Sequence, residues 1–204
     1  MTERALLLDI GGVLEHTPAT GWTARWELSL GLPPGAIDRR CADLWTAGAI
    51  GDMTEAQVIA RLEAWLGPAA AARFLDDLWT EYLGSPNEEL IAYVRTLRGR
   101  CRLGILSNSF VGAREREEAA YAFPALVDEI LYSHETGLEK PDPAAYALAV
   151  DRLGVAPHNC LFVDDLLTNV TAARTAGLAA VHHTANAPVI AAIEAFLARP
   201  PSES

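Results

Sequence analysis

Short apolar runs that end in small polar or charged residues recur along this chain, with helical segments between them. ALLL runs into Asp9, CRLGIL into Ser107 and Asn108, and CLFV into Asp164 and Asp165. A fourth run, EILY, is followed by the loop GLEKPD that carries Lys140. Continuous apolar runs of this length suit strands buried on both faces, and strands alternating with helices predict an α/β fold with a parallel sheet sandwiched by helices. In such sheets ligands bind beyond the carboxyl ends of the strands, where all four polar endings should converge.

Residues 16–85 lack a convincing strand. Four helical segments are expected there, punctuated by glycine and proline, with Thr54 as a cap and Val58, Leu62, Trp65 and Leu66 at helical spacing. The expected division is therefore a core of residues 1–15 and 86–204 and a small all-helical cap of residues 16–85. Beyond it, Asn87 is expected to cap a helix and His134 to end the third core strand.

At 204 residues the chain can bury one substantial core plus a lobe. Its net charge of −11 repels polyanions, so no nucleic-acid partner is expected and any phosphate chemistry must come from a local site. Cys41, Cys101 and Cys160 lack metal or disulfide spacing and suit buried thiols. The first apolar run is too short for a signal peptide or a membrane span, which gives the expectation of a cytoplasmic protein with no membrane partner. Monomer and homodimer both remain open.

Charge supplies the chemistry. Carboxylates gathered at neighbouring strand ends repel by about 4 kcal/mol per pair at 4 Å in an effective dielectric near 20. A cation among them relieves this, and all-oxygen ligands suit Mg²⁺. With Lys140 and a serine hydroxyl alongside, the site is fitted to a phosphoryl group. Asp9 is then the nucleophile, and Gly11 and Gly12 let backbone groups approach phosphate and metal.

Four segments in order resemble the motifs of the haloacid dehalogenase (HAD) superfamily. LLLDIGGVL is similar to motif I, LGILSNS to motif II, GLEKPDPAAY to motif III and LFVDDLLTNVTAARTAGL to motif IV. The resemblance implies a Rossmann-like core, a helical cap between motifs I and II, Mg²⁺ dependence, and hydrolysis of a small phosphorylated metabolite through an aspartyl-phosphate. It implies Asp9 as nucleophile and Lys140 as the residue steadying nucleophile and phosphate. Phosphate would be held by Ser107, the Asn108 backbone and the Gly11–Gly12 amides. Mg²⁺ would be held by Asp9, the Gly11 carbonyl and Asp165, with Asp164 as acidic partner and Asn169 in support.

The chain departs from the pattern at one position. Most phosphatases of the family carry a second aspartate two residues after the nucleophile, as general acid and base; here that residue is Gly11. Three readings stay open: Glu15, His16 or a cap residue substitutes; the substrate has a good leaving group; or the protein binds a phosphorylated ligand with little turnover. A metal-independent 2-haloacid dehalogenase, which also uses a Ser-Asn pair, is the rival enzyme. Trp22, near the loop after motif I, is the cap residue expected to face substrate.

Overall fold

The computed structural model describes residues 4–199. In chain order it runs β1 (Ala5–Leu8), β2 (Glu15–His16), α1 (Trp22–Ser29), α2 (Ala36–Ala49), α3 (Glu55–Leu66), α4 (Pro68–Leu83) and β3 (Ser85–Pro86). There follow α5 (Glu88–Arg95), β4 (Arg102–Ser107), α6 (Ala113–Tyr121), β5 (Glu129–Tyr132), α7 (Ser133–Thr136) and α8 (Pro143–Leu153). The chain closes with β6 (Cys160–Asp164), α9 (Leu167–Thr175), β7 (Ala179–His182) and α10 (Asn186–Ala198).

Five strands form one parallel sheet in the order β5-β4-β1-β6-β7. All four residues of β1 are buried, as its unbroken apolar run requires of a central strand. Successive side chains leave opposite faces of the sheet. Leu6 and Leu8 therefore join Leu103, Ile105, Leu161 and Val163 under α5 and α10. Ala5 and Leu7 join Cys160 and Phe162 under α8 and α9. The result is the α/β sandwich that the alternation of runs implies, with the Rossmann-like core that the resemblance adds. The neighbours of β1 are reached by crossovers to opposite sides, so its carboxyl end lies at the point where the strand order reverses, the usual place for a ligand.

Helices α1 to α4 build a third apolar cluster around Phe74, onto which Trp22, Trp26 and Trp65 pack edge-on and Trp45 stacks. Thr54 caps α3 in a reciprocal capping box with Gln57, as the sequence suggests. This cluster is not closed on itself: Phe110, Val111 and Ala113, from the segment after β4, belong to it.

Two local expectations are corrected. A two-residue antiparallel ribbon, Glu15 opposite Pro86 and His16 opposite Ser85, ties the ends of the helical insertion together. Two residues per strand are too few to give a period. His134 does not end a strand but lies in α7.

Candidate active site

The site is assembled from the carboxyl ends of β1, β4 and β6 and the loop before α8. The Asp9 amide prolongs the sheet ladder by donating to the Val163 carbonyl at 2.9 Å, which fixes Asp9 one step beyond β1. The chain then folds back at once: the amides of Val13, Leu14 and Glu15 all donate to the Ile10 carbonyl, at 3.1, 2.8 and 3.0 Å.

Gly12 and Gly11 answer different demands in that turn. Gly12 has a positive φ of 69°, and a Cβ there would lie 2.3 Å from Asp165 Oδ2, so backbone and acid can approach only without a side chain. At Gly11 a Cβ would make ordinary contacts, 3.6 Å from Thr17 Oγ1 and 3.9 Å from Glu15 Oε1. Glycine at position 11 is thus not imposed by crowding.

Lys140 is the electrostatic centre. Its Nζ lies 2.8 Å from Asp9 Oδ1 and 2.8 Å from Asp164 Oδ2, with all three residues buried. Asp164 has both oxygens occupied: it accepts from the Leu166 amide at 2.7 Å, from Asn169 Nδ2 at 3.2 and 3.1 Å, and from Lys140. Asp9 also accepts from the Ile10 amide at 2.8 Å. Burial pushes the Asp9 carboxyl up to about 7 against the pull of Lys140, and the Asp164 charge adds to the rise. Asp165 is raised by burial first and by Asp164 second.

Asp9, Asp164 and Asp165 each offer a carboxylate oxygen within 4.8 Å of the others. Three carboxylates against one ammonium leave a charge of about −2 when all are ionised. That surplus and the all-oxygen donor set fit a divalent hard cation such as Mg²⁺. Ser107 is buried at the end of β4, two residues past the Ile105 partner of Leu8. Its hydroxyl makes only a long bond, 3.4 Å, to the Asn108 carbonyl. The Asn108 side chain is engaged with the Lys140 backbone, which leaves its own backbone for the phosphate role that the resemblance implies.

Glu15 sits beside the vacant side of Gly11 and is 2% exposed. Its Oε1 accepts from Thr17 Oγ1 at 2.8 Å, whereas Oε2 is buried without a hydrogen-bond partner. Burial pushes its carboxyl up to about 8, with the charges of Glu117 and Asp9 contributing. The structure brings Asp9, Gly11, Gly12, Glu15, Ser107, Asn108, Lys140, Asp164 and Asp165 to this rim. It does not bring His16 or Trp22: His16 is exposed in the ribbon, and Trp22 is buried against Phe74, 4.8 Å between ring centroids.

Two further groups have places here that the sequence reading does not assign them. His182 Nε2 donates to the Asp165 carbonyl at 2.8 Å and holds the acidic loop to β7. Glu117, fully buried on α6, accepts from Tyr132 and keeps Oε1 without a partner. It comes from a run of charged helical residues in which nothing marks one glutamate as buried.

The sequence and the fold have counterparts among known proteins. A family model for haloacid dehalogenase-like hydrolases matches residues 4–177. A curated relative, "Phosphatase MT3486" of Mycobacterium tuberculosis (strain CDC 1551 / Oshkosh), is 31% identical over 189 residues, covering 88% of this chain and 87% of that protein. The fold matches a predicted HAD-like family hydrolase from Porphyromonas gingivalis with a TM-score of 0.77 at 21% identity, over 98% of this chain and 100% of the other. It also matches a HAD family enzyme from Bacteroides thetaiotaomicron, solved in complex with magnesium and inorganic phosphate. There the TM-score is 0.76 at 18% identity, over 90% and 95% of the two chains. Motifs, sheet and family match agree, and the chain belongs to the haloacid dehalogenase-like hydrolases.

Proposed function

We propose that this hydrolase is a Mg²⁺-dependent phosphatase of small phosphomonoesters that works through an aspartyl-phosphate on Asp9. The observation that carries the reading is the three-carboxylate cluster with Lys140 as its ammonium partner, whose charge calls for a divalent cation. The phosphatase name of the mycobacterial relative and the magnesium and phosphate in the Bacteroides structure support it.

Asp9, Asp165 and the Gly11 carbonyl would hold Mg²⁺, with Asp164 as acidic partner. When bound, the ion supplies positive charge to the phosphate oxygens and favours the ionised form of Asp9. Lys140 holds the Asp9 carboxylate in place, and Ser107, the Asn108 backbone and the Gly11–Gly12 amides bind the phosphoryl oxygens. Asp9 attacks phosphorus as the bond to the leaving oxygen breaks. Glu15, protonated below about 8, gives that oxygen its proton and then takes one from the water that attacks the aspartyl-phosphate. Asp9 is released as inorganic phosphate departs. Residues 16–85 act as the cap that shields the reaction and selects the substrate.

A panel of phosphate esters assayed with Mg²⁺ and with a chelator tests the reading. Turnover should require Mg²⁺ and disappear in Asp9→Asn. Full activity in that variant, or with chelator present, overturns it; halide release from a 2-haloacid without Mg²⁺ points to dehalogenase chemistry instead.

A further inference from the structure

The Asn108 side chain spends both halves of its amide on one residue. Nδ2 donates to the Lys140 carbonyl at 2.8 Å, and Oδ1 accepts from the Lys140 amide at 2.7 Å. The two residues are 32 positions apart, on the segment after β4 and the loop before α8. Asn108 is itself exposed, so it adds nothing to the apolar core. Its partner is the residue whose ammonium must sit 2.8 Å from two carboxylates at once.

Lysine reaches its target on a flexible four-carbon stem, so the point from which the stem starts decides where the ammonium ends. Among the bonds that hold the Lys140 backbone, the Asn108 pair fixes it in two directions at once, since an amide side chain offers a donor and an acceptor in one plane. Aspartate has the same shape but only acceptors. It would keep the bond from the Lys140 amide and turn an oxygen toward the Lys140 carbonyl. Small displacements of a positioning group carry large losses, on the order of 10²-fold for about 1 Å.

We infer that Asn108 is a positioning residue for Lys140: its side chain fixes the motif III backbone so that the ammonium bridges Asp9 and Asp164. The kinetic part of this inference rests on the phosphatase reading; the structural part does not.

A double-mutant cycle on p-nitrophenyl phosphate with Mg²⁺ tests the kinetic part. Asn108→Ala should lower kcat/KM by roughly 10- to 10²-fold, and Asn108→Asp by at least as much. Added to Lys140→Ala, Asn108→Ala should cost less than about twofold, because the residue it acts through is already gone. Losses that multiply across the pair overturn the inference and make Asn108 an independent ligand. Amide hydrogen exchange at Lys140, followed by NMR, tests the structural part without turnover. Exchange should quicken about tenfold or more in Asn108→Ala, while amides of β4 keep their protection and the far-ultraviolet spectrum is unchanged. Unchanged exchange at Lys140 overturns the inference even in an active enzyme. If wild type hydrolyses no phosphoester yet exchange responds as expected, only the phosphatase reading has failed.

Discussion

At the scale of single residues, crowding at the Cβ does not impose glycine at position 11, since a Cβ there would meet only ordinary contacts. In the proposed mechanism Glu15 takes the general-acid role from four residues on, its buried carboxyl pushed up to about 8. Glu15→Gln should therefore lower kcat on alkyl phosphates by roughly 10²–10⁴-fold and on aryl phosphates much less, because a good leaving group needs little protonation. It should also remove a fall in activity above about pH 8, the value to which burial raises this group. Gly11→Asp added to Glu15→Gln should restore part of the alkyl phosphatase activity; comparison of the two substrate classes across pH checks both. Glu117 gives a stability counterpart. Burial raises its carboxyl from 4.5 to about 7, so the folded chain holds a proton there that the unfolded chain has released. Stability from this group is full below about 4.5 and is lost as pH rises through about 7. Glu117→Gln should accordingly raise Tm at pH 8 and do so less at pH 5, measured by calorimetry.

At the scale of elements, caps and strands follow from local rules that the sequence displays openly. Asn87 accepts from the Leu90 amide at 3.3 Å, Asp142 from the Ala144 amide at 2.8 Å, and Thr54 from the Gln57 amide at 3.3 Å. The join between insertion and core obeys no local rule. Gly48 on α2 lies so close to the Phe110 ring that a Cβ there would approach it to 2.2 Å, and the Val111 amide donates to the Gly48 carbonyl at 3.2 Å. Ser133 on α7 donates to the Ala49 carbonyl at 2.7 Å. These contacts fasten α2 to α7 and to the segment that follows Ser107 and Asn108. Gly48→Ala should overpack this join, destabilising the chain by about 1–3 kcal/mol in urea unfolding. Activity should fall with it, because the displaced segment continues directly from Ser107 and Asn108, the residues proposed to bind phosphate; an unchanged midpoint removes the join from the account.

At the scale of the whole molecule, four segments scattered between residues 9 and 165 meet because each ends a strand or loop on one rim of one sheet. That much was legible in the sequence, since apolar runs of buried strands are unbroken and their polar endings stand out. Long-range pairings were not: the Asn108–Lys140 clamp, the His182 bond to the Asp165 carbonyl and the burial of Glu117 join residues whose neighbourhood only folding creates. Among the described residues no helix is long and apolar enough to cross a membrane. The account turns on a group of carboxylates, two buried and one half-buried, whose charge Lys140 offsets only in part. Calorimetric titration of the chain with Mg²⁺ tests that balance most directly. One ion should bind per chain, with affinity at least about tenfold weaker in Asp165→Asn and intact in Asp76→Asn on the helical insertion. No saturable binding, or equal binding in Asp165→Asn, would contradict it.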